Sequence, residues 1–205
     1  MHIKHIFTAG KNLKDAEKAL IMVHGRGATA EDILQLAPYL HVKDYALLAP
    51  EATNHTWYPH SFMAPVQQNE PWLSSGLEIL VDLVNTITAQ GIDTERIYLL
   101  GFSQGACLTL EFAARNATRF GGIAAFTGGL IGERLEREKY HGDFKGTPVF
   151  IGTGNPDPHV PVERVRATTD IFEEMNAVVT EQVYDNRPHT ISQDEIEQAN
   201  QLIFK

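Results

Sequence analysis

A serine between two glycines is the residue of this chain best placed to act as a nucleophile. Ser103 lies in Gly101-Phe102-Ser103-Gln104-Gly105, which follows the pattern G-x-S-x-G. The apolar run 97–100 enters this motif, and a helical pattern over 104–115 leaves it. A strand, a sharp turn and a helix hold a serine hydroxyl clear of a sheet. We therefore predict that Ser103 is the nucleophile and that the backbone N–H of Gln104, at the positive end of the helix, stabilises the oxyanion.

A serine hydroxyl needs a base, and in this arrangement the base follows the nucleophile in the chain. The histidines after Ser103 are His141, His159 and His189. His189 lies after the last predicted strand and just before the last predicted helix, where the base is expected, so we predict it in that role. His159 is interpreted as a loop residue near the site.

A carboxylate should follow the preceding strand and orient the histidine ring. Asp157 stands there between two prolines, in a rigid turn, and we predict that it is the acid. Asp185 is the competitor, but it lies so close to His189 in sequence that it would more easily flank the loop.

The second oxyanion donor should come from a loop after an early strand. His24-Gly25-Arg26-Gly27 follows the apolar run 19–23, and the backbone N–H of Arg26 is the candidate donor. His24 is interpreted as a structural hydrogen-bonding residue, and Cys107, one helical turn after Ser103, as a small buried core residue.

Aromatic residues and prolines are concentrated between 57 and 73 without a clear periodicity. A loop of this kind over the strand ends would form an apolar wall for an acyl group, although it could equally pack on its own core. We predict four substrate-binding residues here: Trp57, Tyr58, Phe62 and Trp72.

Alternating strand and helix patterns must position these side chains. Strands are predicted at 4–8, 19–23, 45–49, 97–100, 122–126, 149–152 and 178–184, and helices at 30–40, 73–90, 104–115, 162–175 and 193–204. Continuously apolar strands indicate a sheet covered on both faces. The pattern predicts an α/β fold: a single doubly wound, mostly parallel sheet with helices on both faces, in one domain spanning residues 1–205.

Composition limits the partners. The chain has 205 residues and a net charge of −9, which argues against nucleic acid or an anionic membrane as the main partner. Its one cysteine excludes an internal disulfide. The absence of a long apolar segment favours a cytoplasmic location without stable membrane insertion, and no zinc-binding spacing is present.

Four blocks together resemble the phospholipase/carboxylesterase family of small α/β-hydrolases, which includes the acyl-protein thioesterases. The blocks are His24-Gly25-Arg26-Gly27, Trp57-Tyr58, Gly101 to Ala106, and Gly154 with Asp157, Val160 and Pro161. The resemblance implies a Ser103-Asp157-His189 triad, Arg26 and Gln104 as oxyanion donors, little or no cap domain, and no cofactor. It leaves a homodimer open.

The resemblance implies a serine carboxylesterase acting on small-to-medium carboxylic esters. The alternatives on the same site are an acyl thioesterase or lysophospholipase, and a dienelactone-hydrolase-like or peptidase-like enzyme. A ligand-binding protein without turnover is the alternative from another class. Thioesterase members usually have leucine where Arg26 stands, which suggests the hypothesis that the Arg26 side chain favours a polar or anionic acyl group.

Overall fold

One seven-stranded sheet forms the centre of the computed structural model, which describes residues 1–205. Its strands are Ile6–Gly10 (β1), Lys18–Val23 (β2), Tyr45–Pro50 (β3), Ile97–Phe102 (β4), Gly122–Phe126 (β5), Pro148–Asn155 (β6) and Val178–Asp185 (β7). Their order across the sheet is β1-β3-β2-β4-β5-β6-β7. Strand β1 pairs antiparallel with β3, and every other pairing is parallel. The carboxyl ends of β2 to β7 therefore meet at one edge of the sheet.

Both faces of this sheet are buried, which explains why the central strands are apolar at every position. Neighbouring residues of one strand belong to different clusters: Ile21 packs in a cluster of 39 buried residues. Leu20 and Met22 pack in a second cluster of 18. Because successive side chains of a strand point to opposite faces, the two clusters lie on opposite sides of the sheet.

Helices cover both clusters. They are Ala30–Leu34 (α1), Val66–Asn69 (α2), Trp72–Thr88 (α3), Gln104–Arg115 (α4), Val162–Glu174 (α5) and Gln193–Leu202 (α6). Buried side chains of α3, α4 and α5 belong to the larger cluster, and those of α1 and α6 belong to the smaller one. The predicted mostly parallel α/β sheet with helices on both faces is confirmed. None of these helices combines the length and the apolar character needed to cross a membrane.

The prediction of one helix over 30–40 is wrong. Helix α1 ends at Leu34, and a separate 3₁₀ turn spans Ala37–Tyr39. Pro38 is the physical reason, because its ring would clash with the carbonyl of Leu34 and its nitrogen has no hydrogen to donate. Strand β1 also lies two residues later than predicted, and β6 continues three residues beyond its predicted end, to Asn155.

Helix α4 crosses very close to the end of β2, at the middle of the sheet's carboxyl edge. A Cβ atom on Gly105 would lie 2.2 Å from the carbonyl oxygen of Val23 and 2.5 Å from that of His24. A Cβ on Gly101 would lie 2.5 Å from the carbonyl oxygen of Gly105. Only glycine permits this approach at both positions, so the two glycines around Ser103 bring the start of α4 against the loop that follows β2.

Candidate active site

The backbone of Ser103 makes the sharp turn that the motif predicts. Strand β4 ends at Phe102 and α4 begins at Gln104, so Ser103 alone connects them, with φ 54° and ψ −118°. This positive φ is strained for a residue with a side chain. Two hydrogen bonds hold it: the Ser103 N–H donates to the Phe126 carbonyl at 2.9 Å, and the Cys107 N–H donates to the Ser103 carbonyl at 3.0 Å.

The His189 ring connects Ser103 to Asp157. Its Nε2 lies 2.8 Å from Ser103 Oγ, and its Nδ1 lies 2.8 Å from Asp157 Oδ2. The Asp157 side chain is fully buried and the His189 side chain is 20% exposed. A carboxylate only accepts hydrogen bonds, so Nδ1 carries the hydrogen and Nε2 is free to accept the serine proton. The structure therefore brings these three residues, from loops after β4, β6 and β7, into one hydrogen-bonded chain.

Backbone donors keep the Asp157 carboxyl charged. Burial raises the pKa of Asp157, but hydrogen bonds from the His189 ring and from two backbone N–H groups outweigh this effect, so the pKa lies below its ordinary value. Those two donors, His159 N and Val160 N, each lie 2.8 Å from Asp157 Oδ1. A charged carboxylate is the form that orients the imidazole and stabilises the imidazolium.

A buried ion pair anchors the loop that carries His189. The Arg187 guanidinium pairs with Glu195 of α6, and the two side chains are 8% and 0% exposed. Arg187 also donates to the Thr190 carbonyl at 2.6 Å, on the far side of His189, and to Thr127 Oγ1 at 3.1 Å, just after β5. The sequence pattern around Glu195 indicates only a capping box at the start of α6, formed by Ser192 and Glu195. The ion pair was missed, because its partners are eight residues apart in separate elements.

The loop after β2 passes beside Ser103. A Cβ on Gly25 would lie 3.5 Å from Ser103 Cβ. The next residue, Arg26, has a backbone N–H without an acceptor in the protein. The first N–H groups of a helix also have no intrahelical acceptor, which applies to Gln104 at the start of α4. Unpaired N–H groups from both elements are therefore available near Ser103 Oγ.

The side chains of these two residues hold the loop after β3. Gln104 Oε1 accepts from the Trp57 N–H at 2.9 Å, and Gln104 Nε2 donates to the Tyr58 carbonyl at 2.8 Å. The Arg26 guanidinium donates to the carbonyls of Tyr58, Pro59 and His60. The charge of Arg26 is thus used on backbone carbonyls of the cavity rim.

A cavity of about 470 Å³ opens over Ser103. Two of the four predicted substrate-binding residues, Tyr58 and Phe62, line it, together with His60, Cys107, His159 and Val160. Trp57 and Trp72 do not line it, and their assignment as substrate-binding residues is corrected. Trp57 is fully buried, with its indole Nε1 donating to the His24 carbonyl, and Trp72 packs on the edge of the His2 ring.

Three polar groups near the site have other roles. His24 is completely buried, with Nδ1 donating to the Gly25 carbonyl at 2.8 Å and Nε2 accepting from the Ala52 N–H at 3.0 Å. Burial raises the pKa of the Cys107 thiol to about 12, so it stays protonated. The His159 ring stands edge-on to His189, with centroids 4.9 Å apart, and contacts neither Ser103 nor Asp157 through its ring nitrogens.

Comparison with known proteins gives consistent matches. A family model described as phospholipase/carboxylesterase matches residues 5–205. The crystal structure of a phospholipase/carboxylesterase from Dyadobacter fermentans is 58% identical, with a TM-score of 0.99 over 100% of this chain and 98% of that one. Acyl-protein thioesterase 1 of Eremothecium gossypii is 28% identical over 90% of this chain and 86% of its own. Esterase PE8, 20% identical with a TM-score of 0.79 over 97% and 96% of the two chains, shares the fold.

Replacing Asp157 with asparagine should lower kcat by about 10³- to 10⁴-fold, because an amide facing Nδ1 favours the wrong histidine tautomer. The matched control is Asp185→Asn. Asp185 is exposed at the end of β7 and should tolerate the change with wild-type kcat. Steady-state hydrolysis of a p-nitrophenyl ester measures both. Equal losses in the two variants, or a larger loss in Asp185→Asn, would show that the acid is misassigned.

Replacing Arg187 with methionine should cost about 3–5 kcal/mol of unfolding free energy, because it leaves the Glu195 carboxylate buried without its partner. It should also lower kcat by displacing the His189 loop. Arg137→Met is the control: Arg137 pairs with Glu174 at the surface, where both side chains are more than half exposed, and should change stability by less than about 1 kcal/mol. Urea denaturation and ester hydrolysis measure the two effects. If both variants behave alike, the buried pair does not anchor the loop.

Proposed function

The chain belongs to the phospholipase/carboxylesterase family and is a serine hydrolase of the α/β-hydrolase fold, and we propose that it hydrolyses small-to-medium carboxylic esters through an acyl-enzyme on Ser103. The observation that carries this proposal is the His189 ring, whose two nitrogens each lie 2.8 Å from an oxygen, one of Ser103 and one of Asp157. Nucleophile, base and orienting acid are thereby within hydrogen-bond distance before substrate arrives.

The first half of the reaction forms the acyl-enzyme. Ser103 Oγ attacks the ester carbonyl carbon while His189 Nε2 takes its proton. The negative charge that develops on the carbonyl oxygen is stabilised by the backbone N–H groups of Arg26 and Gln104. Asp157 holds the ring and stabilises the imidazolium. The tetrahedral intermediate then collapses, and the leaving alcohol takes the proton from His189.

The second half releases the acid. A water molecule gives a proton to His189 as its oxygen attacks the acyl carbonyl, and the same two N–H groups hold the second oxyanion. Collapse of this intermediate returns the proton to Ser103 Oγ and frees the carboxylic acid. His189 accepts or donates the proton in every transfer of this cycle.

A thioesterase or lysophospholipase activity on the same site is the second candidate. It is favoured by the match to acyl-protein thioesterase 1 over most of both chains. The triad serves either leaving group, so the acyl length and the leaving atom distinguish the two. An open cavity of about 470 Å³ walled by Tyr58 and Phe62 has room for the short and medium acyl groups of the first candidate.

Ser103→Ala should abolish both labelling by a fluorophosphonate probe and turnover of p-nitrophenyl esters, because no other activated nucleophile lies at the cavity. Ser74→Ala, which changes a helix hydroxyl bonded to Glu70, is the control and should label like the wild type. Acetate to dodecanoate esters and matching thioesters should give highest kcat/KM for the short and medium oxygen esters. A maximum at long-chain thioesters would favour the second candidate instead. If the folded wild-type protein is not labelled by the probe, the proposed hydrolase mechanism is wrong.

Activity measured from about pH 8 down to about pH 5 should fall reversibly, because a general base accepts a proton only in its unprotonated form. The lowered pKa of Asp157 keeps that carboxylate charged as the pH falls, so its stabilising contribution persists until the pH drops below the ordinary carboxyl range. Kinetics and thermal unfolding are measured on the same samples. A flat kcat/KM over this range would contradict His189 as the base. If the fold is lost in step with activity, the prediction that Asp157 keeps stabilising the fold after activity has fallen is wrong.

A further inference from the structure

Arg26 makes an unusual set of contacts for an arginine at the mouth of a cavity. Its guanidinium donates to the carbonyls of three consecutive residues, Tyr58 at 2.9 Å, Pro59 at 3.0 Å and His60 at 2.8 Å. These residues belong to the loop after β3, whereas Arg26 belongs to the loop after β2. The side chain therefore joins two loops at the carboxyl edge of the sheet.

These contacts leave little of the guanidinium for a substrate. Nη2 donates to two of the carbonyls, Tyr58 and His60, and so uses both of its hydrogens. A carboxylate bound through both oxygens needs one Nη2 hydrogen together with one from Nε or Nη1. In Arg26 neither of these pairs of donors is free, because both Nη2 hydrogens are already bonded. This arrangement argues against the hypothesis that the Arg26 side chain selects anionic acyl groups.

The same loop is held from the other side by Gln104. The Tyr58 carbonyl accepts from both Gln104 Nε2, at 2.8 Å, and Arg26 Nη2, at 2.9 Å. The two residues whose backbone N–H groups we assign to the oxyanion thus direct their side chains to a single carbonyl. Tyr58 itself, with Phe62 four residues later, walls the cavity.

We infer that Arg26 is a positioning residue whose guanidinium locks the acyl-pocket wall to the oxyanion hole. The spacing between the Tyr58–Phe62 wall and the oxyanion donors then depends on this side chain, and so does the choice of acyl length. The inference rests on the proposed ester hydrolysis at Ser103. It concerns how that site is held in shape, and Arg26 acts on catalysis through the loop that it fixes.

Arg26→Met tests the role, because methionine has similar length and no donor. The expected result is a loss in kcat of about tenfold to a hundredfold on the best ester, as expected for a small misplacement of a catalytic group. The preference between acetate, hexanoate and dodecanoate esters should also flatten, because the wall is no longer fixed. Arg26→Lys should recover much of both properties, since an ammonium group can still donate to more than one of these carbonyls.

Arg119→Met is the matched control. Arg119 also donates to two backbone carbonyls, of Phe120 and Gly146, but it precedes β5 at the opposite edge of the sheet. It should keep the wild-type kcat and the wild-type acyl-length profile. Hydrogen–deuterium exchange adds a readout that needs no activity. The Trp57 and His60 amides, which are bonded to Gln104 and Asn69, should exchange faster in Arg26→Met than in the wild type.

The results for Arg26→Met distinguish a positioning role from direct contact with substrate. Faster loop exchange with lower kcat and a flattened length profile supports the positioning role. Wild-type exchange and kcat in Arg26→Met overturn it. So does a loss confined to an anionic ester, monomethyl adipate, with its neutral amide analogue unaffected, because Arg26 would then contact substrate. If the wild type neither hydrolyses esters nor labels at Ser103, the proposed function fails, and the exchange experiment still decides whether Arg26 fixes the loop.

Discussion

The close crossing of α4 over the end of β2 is the constraint on which the site depends. Gly105 lies so near the carbonyls of Val23 and His24 that a single Cβ would lie within 2.5 Å of both oxygens. This contact accompanies the positive-φ turn at Ser103 and brings the loop after β2 beside the serine. The proposed nucleophile and oxyanion donors are therefore neighbours because of backbone packing, before any side-chain contact is considered.

The residues that we propose for catalysis lie on two sides of β4. The loops after β2 and β3 lie on one side and carry Arg26, whose backbone N–H we propose as an oxyanion donor, and the cavity wall. The loops after β6 and β7 lie on the other and carry Asp157 and His189. The N–H of Asn186 donates to the carbonyl of Asn155 at 2.8 Å, which ties the last two loops together. In the proposed mechanism, the acyl group is therefore bound on one side of Ser103 and protons are transferred on the other.

Much of this arrangement follows from the sequence, since a motif between a strand and a helix fixes Ser103, and chain order then selects Asp157 and His189. What composition cannot predict is the direction of a side chain. Trp57 and Trp72 belong to the same aromatic-rich segment as Tyr58 and Phe62, yet Trp57 is fully buried, Trp72 is half-buried against the core, and only the other two line the cavity. The Arg187–Glu195 pair and the contacts of Arg26 were also beyond sequence reasoning, because bonds to loop carbonyls leave no pattern in residue types.

Three arginines show what these loops require. Arg26 donates to the carbonyls of residues 58–60, Arg187 to that of Thr190, and Arg164 to those of Leu130, Gly132 and Glu133. Loops at a sheet edge leave backbone carbonyls without partners from the strands, and each needs a donor. The guanidinium offers five donors in a rigid plane, so one side chain can fix several consecutive peptides. A small hydrolase without a large cap domain can in this way hold its loops with its own side chains. Arg164 and the Arg187 side chain do so from buried positions, whereas Arg26 does so from an exposed position at the mouth of the cavity.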